Sequence, residues 1–285
     1  MKVSVHLRGG PNLTNFRSEV LAEGLEALGH TVVVRSRAEG CGDADLMVQT
    51  AFSRSYAVMD AIGKRIPFLI MEAPFWRHIP MEDWVSWGYN GLAGGAFRHS
   101  APDKERPKPE LQPWKEDGAI IVFGQKPTDH SLRGHSHADW IVSKLEEYPD
   151  AEFRPHPLTV PRESLEPFAQ AISRCKKAIT FSSTSGAEAL IAGCESQPEH
   201  PGSIAYEVSD REQWLHETSW AQFRRHEFCE GGAEHIIGGY DEARARSEQG
   251  LVEEPRLRVD GQKEFARYNA TLESWRHRER GVCEH

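Results

Sequence analysis

The chain has 285 residues, of which 39% are hydrophobic and 27% charged, and its formal net charge is −9. This composition is typical of a globular protein and excludes a uniformly basic nucleic-acid-binding surface, while a local basic groove stays possible. No apolar run approaches the roughly 18–20 residues that span a bilayer, and the amino terminus has no apolar signal core. Five scattered cysteines without a CxxC pair favour a reducing, cytoplasmic compartment.

The first hundred residues predict alternating strands and helices. Val3, Val5 and Leu7 alternate with polar residues as in a strand, and a glycine break and a helical apolar pattern over 16–28 follow. The β-branched run at 31–34 then gives a strand–helix–strand order, which predicts a parallel sheet with right-handed crossovers. Further elements are predicted as strands at 46–48 and 68–71 and a helix near 55–63.

A charged, proline-rich stretch at 100–116 predicts a linker, and a second α/β pattern begins after it. Its predicted elements are strands at 119–123, 152–154 and 177–181 and helices opening at Ser136 and running over 187–192. The remainder is predicted to be mostly helical, with an apolar stripe that packs back on the body. The sequence thus predicts an α/β fold of two Rossmann-like domains facing a cleft, with C-terminal helices. The predicted boundaries are 1–112 for an N-terminal acceptor domain, 113–209 for a nucleotide-sugar donor domain and 210–285 for the helical segment.

A hydroxyl-rich turn follows the strand at 177–181 and leads into a helix. Free backbone N–H groups and several hydroxyls at such a turn suit a nucleotide phosphate. The structural alternative is a capping box formed by Ser185 and Glu188, which explains only two of these residues. The candidate phosphate-binding residues are Ser182, Ser183, Thr184, Ser185, Gly186 and Glu188.

A histidine lies between two prolines at the end of the strand at 152–154. The prolines stiffen the backbone around His156, whose ring can donate to a phosphate, and Arg154 can add a bidentate contact. The alternative is an ordinary proline-rich turn with a surface histidine.

A third polar segment follows the strand at 119–123. Gly124 permits close backbone approach, Gln125 can bind a base or sugar, Lys126 a phosphate and Asp129 a sugar hydroxyl. The alternative is a loop in which the aspartate caps a helix.

In this order, the GQ…D, RPHP and SSTSGAEALIAG segments over about 119–194 resemble the donor half of GT-B glycosyltransferases, especially capsule-type sugar transferases. The resemblance implies that the His-Pro element and the Ser/Thr turn hold the phosphate or diphosphate of a nucleotide sugar. It also implies that no cofactor is needed beyond this donor.

A second resemblance involves FLIMEAP at 68–74 with WGYNGL at 87–92, and SWAQFR at 219–224 running on to residue 231. These segments are similar to phage-encoded glycosyltransferases associated with sugar addition to hydroxymethylated pyrimidines in DNA. Residues 195–203 stand outside the resemblance as a proline-bearing insertion.

The leaving nucleotide carries developing negative charge, which the helix start, His156 and Lys126 or Arg154 can stabilise without a divalent metal. No DxD-type pair, CxxC or HExxH is present, and the histidines near 130–137 are better explained as a polar helix entry, so no metal site is predicted.

An inverting transfer needs a general base, whereas a retaining one does not. Glu72, just after the strand at 68–71, is the first candidate and Asp83 the second; the alternative for Glu72 is a solvated loop acid. Arg8 and Gly10 follow the first strand and either contact donor or acceptor or form a tight turn.

DNA as the acceptor depends on an aromatic-rich segment over 75–89, on which an extruded pyrimidine can stack. The alternative is that these rings pack in the core. The arginines that can meet DNA phosphates, each also compatible with an ordinary surface helix, are Arg224, Arg225, Arg276, Arg278 and Arg280.

The first interpretation is a metal-independent GT-B glycosyltransferase that moves a sugar from a UDP-sugar to a hydroxymethylated pyrimidine, such as hydroxymethylcytosine, in double-stranded phage DNA. Alternatives are a transferase to a saccharide with a CMP- or UDP-sugar donor, a non-catalytic nucleotide-sugar-binding protein, and a sugar-nucleotide epimerase. No membrane partner is expected.

Overall fold

The computed structural model describes residues 1–9, 14–76, 84–92, 95–255 and 261–282, without the side chains of residue 162 and residues 275–282. The chain forms two units: unit 1 comprises Met1–Glu110 and Val208–Pro255, and unit 2 comprises Leu111–Glu207 and Arg256–His285. The chain passes from unit 1 into unit 2 between Glu110 and Leu111, close to the predicted domain boundary at 112. The segment predicted over 210–285 is divided, since its first part folds with unit 1 and its last helix with unit 2.

The elements follow the alternating order of an α/β chain. In chain order they are β1 (Lys2–Leu7), α1 (Phe16–Ala27), β2 (Thr31–Ser36), β3 (Leu46–Thr50), α2 (Tyr56–Lys64), β4 (Phe68–Glu72), β5 (Trp84–Tyr89), β6 (Ala119–Phe123), α3 (His137–Glu147), β7 (Glu152–Arg154), α4 (Phe168–Arg174), β8 (Cys175–Thr180), α5 (Ser185–Ile191), β9 (Glu195–Pro198), α6 (Arg211–Trp220), β10 (Gln222–Arg224), α7 (Gly232–Gly238), α8 (Tyr240–Glu248) and α9 (Gly261–Val282).

Unit 1 is built on a mixed six-stranded sheet in the order β10-β5-β4-β3-β1-β2. Strands β1 to β4 are parallel to one another, while β5 runs antiparallel to β4 and β10 antiparallel to β5. Helix α1 covers one face, where Leu21 and Leu25 pack with Val3 and Val5. Helix α2 packs on the other face, and burial on both sides explains why β3 and β4 read as near-continuous apolar runs.

Unit 2 is built on an all-parallel four-stranded sheet in the order β7-β6-β8-β9. On one face, Val122 and Ile179 pack with Ile141 of α3 and Tyr268 of α9. Helices α4 and α5 pack on the other face. Because the strands are parallel, the loops that follow them all emerge at one edge, which we call the unit 2 edge.

Three strands were not predicted from the sequence. Strand β9 occupies residues read as a proline-bearing insertion; it is polar and pairs only with β8 among the described strands. Strand β5 is buried on both faces, so it lacks the alternation of a half-exposed strand, and β10 has only three residues. Within the described residues, no helix is both long and apolar enough to cross a membrane.

Candidate functional site

The unit 2 edge brings the GQ, RPHP and Ser/Thr segments together. The Gly124 N–H donates to the Arg154 carbonyl at 2.8 Å. A Cβ added at Gly124 would lie 3.2 Å from the His156 backbone nitrogen and 3.0 Å from the Tyr268 hydroxyl, so the two loops approach closely only because residue 124 is glycine.

Gln125 links the β6 loop to the turn after β8. Its side-chain oxygen accepts from the Ser182 N–H at 2.7 Å, and its side-chain nitrogen donates to the Ser131 hydroxyl at 2.8 Å. The Ser182 hydroxyl donates to the Ser131 carbonyl at 2.9 Å. Gln125 is buried and both ends of its amide are bonded within the edge, so it positions the two loops.

His156 lies half-buried where the β7 loop leaves the sheet. Its Nδ1 accepts from the Leu158 N–H at 3.1 Å, and its carbonyl accepts from the Thr159 hydroxyl at 2.7 Å. Since Nδ1 is an acceptor, the ring proton of the neutral imidazole resides on Nε2. The loop therefore fixes a tautomer whose Nε2–H can donate to an anionic oxygen.

His137, the first residue of α3, is one of the histidines near 130–137 that the sequence analysis explained as a polar helix entry; the structure corrects this for His137, which is fully buried. Its Nε2 accepts from the Gln125 N–H at 2.7 Å, and its ring stacks between Trp140 and Tyr268 with centroid distances of 5.3 and 5.6 Å. Burial, together with repulsion from His156, lowers the pKa of His137 to about 3. The neutral ring of His137 positions the loop after β6 by accepting from the Gln125 N–H. The spacing of His137 along the chain does not predict this role.

The Ser/Thr turn presents half-buried hydroxyls at the unit 2 edge. The Ser183 hydroxyl accepts from the Ser185 N–H at 3.2 Å and lies 3.1 Å from the Ser185 hydroxyl. Ser185 is the first helical residue, so the N-cap position belongs to Thr184, whose side chain makes no capping bond. The capping box considered for Ser185 and Glu188 therefore does not describe this helix start.

Gly186 has a packing reason to be glycine. A Cβ there would lie 3.0 Å from the Ser196 hydroxyl and 3.2 Å from the Thr180 hydroxyl. The short helix α5 thus packs tightly against β8 and β9, with Glu188 half-buried on its first turn.

Two of the three remaining candidates of unit 2, Asp129 and Arg154, have structural partners. Asp129 is exposed and caps the short 3-10 turn His130–Leu132, accepting from the Ser131 N–H at 2.9 Å. Arg154 donates to the Glu166 carbonyl at 3.2 Å and its guanidinium lies over the Phe168 ring. Lys126 is half-buried in the same loop as Gln125.

Two candidates of unit 1, Glu72 and Arg8, lie at the carboxyl ends of its parallel strands. Glu72 ends β4, and its Oε1 accepts from the Phe52 N–H at 2.9 Å. Arg8 follows β1; its backbone N–H and carbonyl are both bonded to the Asn15 side chain. Gly10 and Asp83 lie outside the described residues.

The aromatic segment of unit 1 is core, which corrects the expectation of a stacking platform for a base. The rings over 75–89 that the structure describes are at most 3% exposed: Phe75, Trp76, Trp84, Trp87 and Tyr89. Arg224 lies over the Trp84 ring, and Arg225 pairs weakly with Glu23 at 3.8 Å. The side chains of residues 276, 278 and 280 lie outside the described ones.

The solved structures that are similar to this chain include two transferases of one organism. The chain is similar to "KpsC, beta Kdo 2,4 transferase" of Thermosulfurimonas dismutans, with a TM-score of 0.47 and 16% identity over 78% of this chain and 91% of that one. It is also similar to "KpsC, beta Kdo 2,7 transferase" of the same organism, with a TM-score of 0.44 and 14% identity over 82% and 99%. No family model and no curated protein matches the sequence. Similarity at this level does not assign a family.

Among the residues that the structure describes, no group of three or more His, Cys, Asp or Glu side chains has the placement of a metal site. Of the residues at the unit 2 edge, the sequence analysis missed Ser131, and it interpreted His137 as part of a polar helix entry rather than as a buried support. Both act through contacts with residue 125, which only the folded chain brings near them.

Proposed function

We propose that this chain is a glycosyltransferase that binds the phosphate of a nucleotide-sugar donor at the unit 2 edge. The observation that carries the proposal is that the loop after β6 contacts both neighbouring loops: Gly124 approaches the backbone of His156, and Gln125 accepts from the Ser182 N–H of the Ser/Thr turn. Neutral donors held in place by the surrounding loops suit a group that gains negative charge as it leaves.

In the proposed reaction an acceptor hydroxyl forms a bond to the anomeric carbon while the bond from that carbon to the donor phosphate breaks. The nucleotide leaves with the bonding electron pair, and His156 Nε2–H and the serine hydroxyls stabilise the added charge. If the transfer inverts, the acceptor proton passes to the Glu72 carboxylate; Asp83 is the second candidate for this role.

The donor proposed first is a UDP-sugar, and the alternative is a CMP-sugar. The acceptor proposed first is a hydroxymethylated pyrimidine in duplex DNA, which rests on the resemblance of the segments at 68–74, 87–92 and 219–224 to phage-encoded enzymes. Because the rings over 75–89 are buried, they give this acceptor no support, and a saccharide is the alternative.

The test is a panel of UDP- and CMP-sugars, each incubated with hydroxymethylated DNA or with saccharides. Mass spectrometry of the nucleosides and sugars, together with nucleotide release, identifies the pair that reacts. A transferase releases nucleotide only with donor and acceptor together, whereas an epimerase changes the donor alone. A binding protein gains thermal stability with donor but turns nothing over.

The matched variants are His156→Ala and His226→Ala, the second of which removes an exposed histidine of unit 1. We expect the first to lower turnover by about 100-fold or more with the fold intact, since it removes a charge-stabilising donor, and the second to have no effect. Unchanged turnover in His156→Ala would remove the unit 2 edge as the phosphate site.

A further inference from the structure

Unit 1 holds a cluster of arginines at the carboxyl ends of its strands. Arg8 follows β1, and Arg37 follows β2, its N–H donating to the Leu7 carbonyl at 3.1 Å. Arg17 lies in the first turn of α1, whose entry is tied to Arg8 through the Asn15 side chain. We call Arg8, Arg17 and Arg37 the unit 1 arginine cluster.

Several donors of this cluster are buried without an acceptor. The Nε of Arg17, the Nε of Arg37 and one Nη of Arg37 have no hydrogen-bond partner among the described residues, although both side chains are only half-buried overall. A buried guanidinium N–H without an acceptor costs free energy that an anionic oxygen would recover. Arginine also presents its donors in a fixed fork that fits a carboxylate or phosphate.

The charges at this edge do not balance. The carboxylate of Glu72 interacts electrostatically with Arg17 and Arg37, while Arg8 and Arg37 repel each other. Burial, followed by repulsion from Arg8, lowers the pKa of Arg37 to about 10. Among the described residues that these interactions connect, there are three guanidinium groups and one carboxylate, and the excess positive charge suits a further anion.

We propose that the unit 1 arginine cluster binds an anionic group, a phosphate or a carboxylate, carried by the acceptor. That the anion belongs to an acceptor rests on the proposed glycosyl transfer. The anion site itself can be tested without any transfer. Glu72 lies beside the cluster, so an acceptor anchored there through its anion is held near the proposed base.

The first experiment is a titration of the 285-residue chain with inorganic phosphate. Calorimetry and thermal unfolding measure the binding. The variants are Arg37→Gln, Arg17→Gln and the double variant. His156→Ala reports binding at the unit 2 edge, and Arg244→Ala is the control, because it removes an exposed charge of the same unit that pairs with Glu248. Arg37→Lys, which keeps the charge, covers the case in which Arg37→Gln fails to fold.

We expect the double variant to weaken phosphate binding at this site by about tenfold to 100-fold, the range for charge-assisted hydrogen bonds, while His156→Ala and Arg244→Ala retain it. If the double variant retains phosphate binding at wild-type strength, the proposal is overturned. The proposed donor site at the unit 2 edge is not affected by that result. Loss in Arg244→Ala as well would also overturn it, because binding would then follow overall charge.

The second experiment separates the sources of the anion. Glucuronate provides a sugar carboxylate, inorganic phosphate a phosphate, and glucose a neutral sugar. Binding of either anion, but not of glucose, in a way that depends on Arg17 and Arg37 supports the site and names its ligand class. Equal binding of glucose in wild type and double variant, with no anion preference, would contradict it.

Discussion

The two units carry parallel strands whose carboxyl ends differ in chemistry. At the unit 2 edge, polar side chains of neighbouring loops are bonded to one another, as in the bonds from Gln125 to Ser131 and Ser182. At the edge of unit 1, Arg17 and Arg37 carry buried N–H donors that have no partner among the described residues. An edge whose polar groups are already bonded is organised in advance for a group that becomes charged during reaction, whereas an edge with unpartnered guanidinium donors suits a group that is already an anion.

The largest expected effect concerns Glu72, the carboxylate that interacts electrostatically with Arg17 and Arg37. Glu72→Gln keeps an oxygen that can accept from the Phe52 N–H, so the fold should persist, but the amide cannot take a proton. We expect an inverting transfer to fall by about 100-fold or more. The measurement is turnover with the reacting donor and acceptor.

The control for this variant is Glu23→Gln, an exposed residue of α1. Full activity in Glu72→Gln would show that Glu72 is not the base.

The second prediction compares the glycines that follow the first strand of each unit. Gly124→Ala places a Cβ 3.0–3.2 Å from the Tyr268 hydroxyl and the His156 nitrogen, whereas a Cβ at Gly9 meets no described atom within 4 Å. We expect Gly124→Ala to lower the free energy of unfolding by about 1–3 kcal/mol through overpacking, and Gly9→Ala by no more than about 0.5 kcal/mol. Urea unfolding measures both, and equal effects would contradict the view that only unit 2 has a closely packed edge.

The third prediction concerns pH. The pKa of His137 is lowered to about 3 by burial, so its ring stays neutral in the folded chain while the unfolded chain binds a proton below about pH 6.5. The unfolded state thus binds more protons between these values, and the free energy of unfolding falls as pH falls from about 6.5 towards 3. The slope from this group reaches about 1.4 kcal/mol per pH unit.

Urea unfolding at pH 7 and pH 5 tests this, with His137→Gln expected to show a shallower dependence than wild type. His235 of unit 1, whose pKa burial lowers to about 4, adds a contribution of the same sign, so His235→Gln is the matched variant. An unchanged slope in His137→Gln would mean that the unit 2 edge does not depend on a neutral histidine.

The smallest effect is expected for Ser182→Ala, which loses the bond to the Ser131 carbonyl but keeps the backbone bond to Gln125. We expect a loss of about 1 kcal/mol in the free energy of unfolding. Gln125→Leu should cost more, because it leaves the Ser182 N–H and the Ser131 hydroxyl without this partner. The reverse order would show that Gln125 is not the link between the two loops.

Local pattern determined much of this protein from its sequence. The alternation at Val3 and Val5, the apolar run over 119–123 and the serine at 136 predicted β1, β6 and the start of α3, and the structure confirms all three. Periodicity and capping are properties of neighbouring residues, so a single sequence carries them. The same reasoning put the polar segments after β6, β7 and β8.

Only the tertiary structure decided which side chains meet. The sequence could not show that Gln125 is bonded inward, that His137 supports it, or that the rings over 75–89 are core. It also could not gather Arg8, Arg17 and Arg37 at one edge. These are contacts between residues distant along the chain, and they are set by strand order and by the packing of helices on the sheet, which no local pattern encodes.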